Sequence, residues 1–357
     1  MNIEPLKNKS FRIIAALFLF FILWPGEKNE AAESKPRELL KLRLGLGSTP
    51  APPLPNSVLW LAKDLGFYAR EGLDIELIEL RGTPTVITAM RTGDMDVGNI
   101  STSDVIRLTA SNTLPMRAIH SPDVRLYFLI AAREQFKTVA DLKGKTFAIA
   151  RTGSVDHSLS MTVLKALGVN PQDVKLVAIG SPSTRAQALV GGRVDATSIS
   201  LGTWVSIQRE KSVKVLLDAE RYFDAAPIVS KVNAVTPKVL ETKAEHLRRL
   251  TAAIVKASRH FADNQQAWVD AMSKRRNDLA REDLVDLWKS FKTAWAVNGS
   301  MNLAQYGQSA DFLYQTDDFQ DVPKIAVSDW AYTKILDNVL KENSVYAKFD
   351  DPGRAMR

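Results

Sequence analysis

The sequence predicts an α/β protein made of two similar lobes, and three observations carry that expectation. Residues 75–101 and 174–200 are one 27-residue unit written twice. They align without a gap at an offset of 99, with identities at Leu77/Leu176, Thr85/Thr184, Ala89/Ala188, Gly93/Gly192, Asp96/Asp195, Ile100/Ile199 and Ser101/Ser200. The upstream segments correspond too: KLRLGLGS (41–48) with KTFAIART (145–152), and LAKDLG (61–66) with VLKALG (163–168). Finally, short apolar strands alternate with amphipathic helices, the pattern of parallel sheets covered by helices.

Leu42–Gly47 alternates as a strand, and Ser48–Ser57 follows with Pro50, Pro52, Pro53 and Pro55, which forbid a helix there. Val58, Leu61, Ala62 and Leu65 then recur at helical spacing, and Gly66 stops that helix. Leu73–Leu80 is the second strand. Thr83-Pro84 supplies a cap and a first-turn proline for a helix over 85–92, which Gly93 ends. Asp96–Ile100 is a buried strand, and one of Ser101, Thr102 and Ser103 caps the next helix. Arg125–Ala132 is a strand read as the crossing into the second lobe.

That lobe runs through strand Thr146–Ala150, helix Ser158–Leu167 ended by Gly168, strand Val174–Ile179, helix Thr184–Val190 and strand Asp195–Ile199. Pro227–Val235 returns to the first lobe. Long helical segments follow, one with an apolar face of Leu247, Leu250, Ile254 and Ala257, another with Leu284, Leu287, Trp288 and Phe291. Crossings near 120–126 and 226–232 divide the chain into lobe one (40–125 with 230–340) and lobe two (126–229), with 341–357 a loose tail.

Ligands of open α/β sheets sit outside the carboxyl ends of the strands. Both lobes place Ser, Thr and Gly there, offering hydroxyls and helix N-terminal N–H groups to a small anionic or zwitterionic ligand. Arg151-Thr152-Gly153-Ser154 could hold an oxyanion with Arg151 as its charge partner, or be a plain strand-to-helix turn. Arg81 faces the same choice. Trp204 stacks on a ligand or belongs to the core.

The composition narrows the chemistry. With 45% apolar residues the 357-residue chain can build two ordinary cores. It has no cysteine, which excludes disulfides, thiol catalysis and Cys-ligated metal. Lys7, Lys9 and Arg12 precede an apolar run from Ile13 to Trp24, then Pro25-Gly26 and a polar stretch. This is the pattern of a signal peptide over 1–31, its apolar run shorter than the roughly 20 residues a spanning helix needs; the competing reading is an uncleaved membrane anchor. Without a cysteine after the run, the expected product is a soluble periplasmic protein, not a lipoprotein.

Removing 1–31 lowers the net charge from +7 to about +6 by taking four basic and three acidic side chains. Basic and acidic residues are mixed and no basic run carries interleaved aromatics, so nucleic acid is not an expected partner. Gly45-Leu46-Gly47-Ser48-Thr49-Pro50 opens like a dinucleotide fingerprint, but proline holds the third glycine position. His120, His157, His246 and His260 stand in no metal-binding spacing, Gly98 interrupts Asp94-x-Asp96 as a calcium loop, and no G-x-S-x-G elbow occurs. No catalytic residue, metal or cofactor is expected. Asp96 and Asp195 are read as serving the turn or the strand entry, because both copies need the same backbone.

Five segments together carry a family resemblance: LWLAKDLGFYAREGLDIELIEL (59–80), AMRTGDMDVGN (89–99), VADLKGKTFAIARTGS (139–154), LKALGVNPQDVKLV (164–177) and ALVGGRVDAT (188–197). With them the chain resembles the solute-binding proteins of ABC importers, in the nitrate/sulfonate/taurine and thiamine-pyrimidine (NMT1/THI5-like, SsuA/TauA-like) branch, over about residues 40–340. The resemblance implies a hinged, two-lobed type II periplasmic binding fold, the Venus flytrap, and a monomer that delivers a small solute to a membrane permease and ATPase. It places the pocket loops at Ser48-Thr49, Gly82-Thr83, Ser101-Thr102, Thr152-Gly153-Ser154 and Ser200–Trp204, with Thr203 among the last. The proline-rich first loop is longer than in some relatives. The alternatives are a ligand sensor of the same fold and a thiamine-pyrimidine precursor protein.

Overall fold

The computed structural model describes residues 39–344 apart from 49, 81, 153, 292 and 293. The export segment, Thr49, Arg81, Gly153 and most of the expected tail lie outside the described residues.

The first half runs β1 (Leu40–Leu46), α1 (Val58–Asp64), α2 (Phe67–Arg70), β2 (Leu73–Glu79), α3 (Thr83–Thr92), β3 (Val97–Ser101), α4 (Thr102–Ala110) and β4 (Arg117–His120). The second runs β5 (Phe128–Arg133), β6 (Thr146–Ile149), α5 (Val155–Ala166), β7 (Lys175–Ala178), α6 (Pro182–Val190), β8 (Ala196–Ser200), α7 (Leu201–Trp204), β9 (Val213–Leu217) and α8 (Ala219–Ala225). The chain then returns through β10 (Lys231–Val235), α9 (Pro237–Thr242), α10 (Ala244–Asp263), α11 (Gln265–Arg275), α12 (Arg281–Ser290), α13 (Leu303–Leu313) and α14 (Lys334–Asn343).

Two five-stranded sheets result, ordered β2-β1-β3-β10-β4 and β7-β6-β8-β5-β9. The two copies of the repeat therefore stand in different sheets at equivalent places. The sheets are mixed, a departure from the parallel pairing expected. β10 runs antiparallel to β3 and β4, and β5 antiparallel to β8 and β9. Each of these strands arrives from the other half of the chain, so it starts at the edge where its parallel neighbours end. β4, β9 and α8 were not anticipated.

The repeat encodes matching local devices. Asp96 Oδ2 accepts the N–H of Arg43 at 2.9 Å, and Asp195 Oδ2 accepts that of Thr146 at 2.9 Å. Each carboxylate thus fastens the start of the neighbouring parallel strand, as the duplicated backbone led us to expect. Gly93 and Gly192 stand at φ 81° and 68°, a left-handed turn that only glycine adopts without steric cost.

The helix starts differ in detail. Gly82 precedes α3 and Thr83 is its first residue, with no side-chain cap. α5 begins at Val155, three residues before the expected start, and Leu65 is 37% exposed rather than buried.

On α10 the predicted stripe Leu247, Leu250, Ile254 and Ala257 is fully buried. Burying a Leu or Ile side chain contributes about 1.5–3 kcal/mol relative to leaving it exposed. The stripe meets an aromatic cluster in which Phe261, Trp268, Phe291 and Trp295 pack with ring centroids 5.3–6.2 Å apart. Trp268 Nε1 donates to Ser57 Oγ at 2.9 Å, which fixes the chain just after the proline loop. This packing anchors the end of the first loop to the helices of the first half.

Candidate ligand-binding site

At the carboxyl edge of the first sheet, Ser48 follows β1, Gly82 and Thr83 open α3, and Ser101 and Thr102 pass from β3 into α4. The loops touch: a Cβ on Gly47 would lie 3.0 Å from the Thr83 nitrogen. Ser101 and Thr102 are buried, while Ser48, Gly82 and Thr83 are half-buried. Ser101 Oγ donates to the Asp104 carboxylate. Thr102 Oγ1 is buried without a partner.

At the matching edge of the second sheet, Arg151 and Thr152 are exposed and Ser154 is half-buried. Ser154 Oγ lies 2.6 Å from Arg151 O and 2.7 Å from Asp156 Oδ1. Asp156 Oδ2 also accepts the Ala150 N–H at 2.9 Å and meets Arg185 Nη2 at 3.5 Å, so the turn after β6 is braced from within. Ser200 Oγ accepts the Thr203 N–H at 3.2 Å and caps α7. Trp204, at 9% exposure, packs with Leu129, Ile199, Ile207 and Val213 in the core of this half.

The first loop joins the two edges. A Cβ on Gly202 would meet Pro53 Cδ at 2.9 Å and Leu54 Cγ at 3.3 Å, so the bare glycine lets the proline loop lie against the start of α7. Nearby, Arg209 Nη2 bonds Glu282 Oε1 at 2.8 Å and Asp283 Oδ1 at 2.9 Å, and Gln208 Nε2 reaches Asp283 Oδ1 at 2.9 Å. Ser158 Oγ bonds the Asp318 carboxylate, joining α5 to the segment after α13.

The crossing strands place residues that the sequence reading missed. Lys231 pairs with Ser101, as Phe128 pairs with Ser200. Just before them, Ser230 O accepts the Thr102 N–H at 3.1 Å and Tyr127 O accepts the Leu201 N–H at 2.8 Å. The two edges are thus built alike, with a cation in one and an aromatic ring in the other.

Lys231 is half-buried, its Nζ donates to Ser48 Oγ at 3.2 Å, and among the described residues it forms no ion pair. Burial holds its ammonium below the usual lysine range, partly offset by the charge of Asp123. Burial pushes the Asp123 carboxyl up to about 7 against the opposing pull of Lys231 and the Asn56 backbone N–H. Ser121 Oγ ties the crossings together, donating to Asp123 O at 2.6 Å and lying 2.7 Å from Lys231 O. No sequence signal marks Lys231, because its place depends on pairing with a strand 130 residues earlier.

Of the histidines, His120 is fully buried between Asn233 (2.7 Å) and Thr251 (3.1 Å), a structural residue behind the site. Among the described residues, no group of three or more His, Asp or Glu could hold a metal ion. No helix among them is long and apolar enough to cross a membrane.

The family model described as NMT1/THI5 like matches residues 56–267, a span that takes in both copies of the repeat and both crossings. The chain belongs to the NMT1/THI5-like family. A protein of Brucella abortus (strain 2308), provisionally named a binding protein, is 27% identical over 219 residues, 61% of this chain and 67% of its own length.

Among solved structures, the periplasmic aliphatic sulphonate binding protein SsuA from Escherichia coli matches 81% of this chain and 95% of its own, with a TM-score of 0.61 at 20% identity. The periplasmic nitrate-binding protein NrtA from Synechocystis PCC 6803 matches 88% and 92%, with a TM-score of 0.67 at 15% identity. These are solute-binding proteins, not enzymes, and they establish the periplasmic binding protein fold for this member of the NMT1/THI5-like family.

Proposed function

We propose that this NMT1/THI5-like protein is the solute-binding component of an ABC importer, exported by its first 31 residues or so and working as a monomer in the periplasm. Lobe one is 40–125 with 230–340, lobe two is 126–229, and a small anionic or zwitterionic organic solute of the sulfonate, taurine or nitrate type is held between them. Ser48, Thr49, Gly82, Thr83, Ser101 and Thr102 serve it from one side, with Arg151 to Ser154, Ser200 and Thr203 on the other. The solute favours the closed state because only there does it touch both lobes, and the closed form is what the permease and its ATPase receive.

The observation that carries this reading is Lys231, a half-buried cation without an ion pair among the described residues, at the strand ends where a ligand of this fold class sits. Partial desolvation of an ammonium is costly unless an anion completes the site.

A thermal-shift screen of the mature protein against sulfonates, aminosulfonates, carboxylates and nitrate tests it. A ligand at 100 times its Kd adds about 2.7 kcal/mol to stability. A clear shift with a small anion is expected. Stabilisation by cations or neutral sugars alone would contradict the reading.

A further inference from the structure

α13 holds both crossings between the halves of the chain. Gln305 and Ser309 stand about one helical turn apart on it, buried at 5% and 0% exposure. Gln305 Nε2 donates to Val124 O at 2.6 Å, in the crossing between β4 and β5. Ser309 Oγ accepts the Val229 N–H at 3.0 Å, in the crossing between α8 and β10, and donates to Gln305 O at 2.9 Å. Each crossing then reaches a loop edge. Tyr127 O, just beyond Val124, accepts the Leu201 N–H, and Ser230 O, next to Val229, accepts the Thr102 N–H. The helix itself is fastened to the first sheet. Tyr306 stacks on Trp330 with ring centroids 5.2 Å apart, and Trp330 O accepts the Ala118 N–H of β4 at 2.7 Å.

We propose that Gln305 and Ser309 are positioning residues of the hinge, fixing the two crossings in the arrangement in which the halves touch and so setting how readily the halves part. This rests on the reading of the protein as two lobes that close on a solute, and it assigns the resting balance of that motion to side chains outside the Ser/Thr loops. A hinge bends where a few residues absorb a change of backbone angles. Val124 and Val229 are buried, so a bend that withdraws either main-chain group from α13 leaves it unpaired away from water. Because Ser309 Oγ also bonds Gln305 O, both crossings answer to the same turn of one helix.

The test uses the protein without added solute. The chain has no cysteine of its own, so paired nitroxide labels attached through Lys211→Cys and Lys289→Cys, at exposed positions in opposite halves, report the separation of the halves by pulsed dipolar spectroscopy. Gln305→Met keeps the length of the side chain and removes its donor, and Ser309→Ala removes the hydroxyl. Each is expected to raise the ratio of long to short separations by about two- to tenfold, the worth of one ordinary hydrogen bond. Ser309→Thr, which keeps the hydroxyl, should return the ratio to that of the unaltered protein. Urea denaturation of the same proteins measures stability alongside.

Lower stability in Gln305→Met and Ser309→Ala with the separations unchanged would make both residues core groups and overturn the inference. An equal shift in Ser309→Ala and Ser309→Thr would overturn it as well, since the hydroxyl would then play no part. One fixed separation in every variant would do the same and leave solute binding to be judged by the thermal-shift screen. Should Gln305→Met fail to fold, the comparison of Ser309→Ala with Ser309→Thr decides alone.

Discussion

Lys231 Nζ donates to Ser48 Oγ at 3.2 Å, linking the strand that returns from the second half of the chain to the first loop of the first sheet. The bond brings a cation to the strand ends from a residue 183 positions further along the chain. It also identifies the charge that an anionic solute would meet.

Replacing that charge gives the first prediction. Lys231→Met should weaken binding of an anionic solute by about 1.5–3 kcal/mol, the worth of a hydrogen bond to a charged group. Measured below pH 6, where Asp123 keeps its proton and no carboxylate loses a counter-charge, stability without ligand should stay the same or rise, because a partly desolvated ammonium is removed. Calorimetry and thermal melts of the two proteins check both parts. Lost stability with unchanged affinity would make Lys231 structural.

The paired aspartates should matter to folding rather than to binding. In Asp195→Ala the Thr146 N–H and Oγ1 lose an acceptor they now hold at 2.9 and 2.8 Å. A cost of about 1–3 kcal/mol in urea denaturation is expected. Asp96→Ala should cost at least as much, since Lys243 (2.8 Å) also loses its ion pair.

Two buried groups behind the site should make stability depend on pH in opposite directions. Burial lowers His120 from 6.5 to about 3, and its neighbours Asn233 and Thr251 are uncharged. Its stabilising contribution is complete above 6.5 and is lost as the pH falls toward 3. Burial raises Asp123 from 3.8 to about 7, with Lys231 as the counter-charge and Tyr127 and Arg125 nearby. Its contribution is complete below 3.8 and is lost as the pH rises toward 7.

Between pH 4.5 and 6.5 the two slopes, each about 1.4 kcal/mol per pH unit, cancel in the unaltered protein. Asp123→Asn should then lose about 2 kcal/mol on going from pH 6.5 to 4.5, and His120→Gln a similar amount in the other direction. Denaturant titrations at the two pH values measure it. Equal slopes in all three proteins would refute it.

Gly202→Ala probes the contact between the proline loop and α7. The added Cβ would stand 2.9 Å from Pro53 Cδ and 3.3 Å from Leu54 Cγ, closer than side-chain carbons normally approach. Overpacking of this kind costs about 1–3 kcal/mol, here charged to the state in which the two halves touch. Solute affinity should fall by that amount while the melting temperature without ligand changes little. Unchanged affinity would show that this contact is not part of closure.

Much of this architecture was legible because it is local or repeated. The glycines that end α3 and α6 in both copies, the α10 stripe and the paired roles of Asp96 and Asp195 follow from short-range pattern. The antiparallel strands were not legible. β5 and β10 read as ordinary apolar runs, and only the passage between halves sets their direction. β9, with the sequence VKVLL, lacked turn signals strong enough to bound it.

The site divides the same way. The Ser/Thr loops follow from strand ends, whereas Lys231 acquires meaning only when β10 comes to lie beside β3 and the first loop. Trp204 left two readings open, and its burial in the core of the second half supports the structural one.

The central claim is that both halves share one solute, and two double variants test it most directly. Ser101→Ala with Thr102→Ala removes hydroxyls from the first edge, and Thr152→Ala with Ser154→Ala removes them from the second. Calorimetry with the solute found in the screen should show each pair losing about 0.5–1.5 kcal/mol for an uncharged contact, or about 1.5–3 for a charged one. The first pair is expected to lose more, because Thr102 Oγ1 has no other partner whereas Ser154 Oγ is already held by Arg151 and Asp156. A loss confined to one pair, with the other at full affinity, would place the solute on a single lobe and contradict the account.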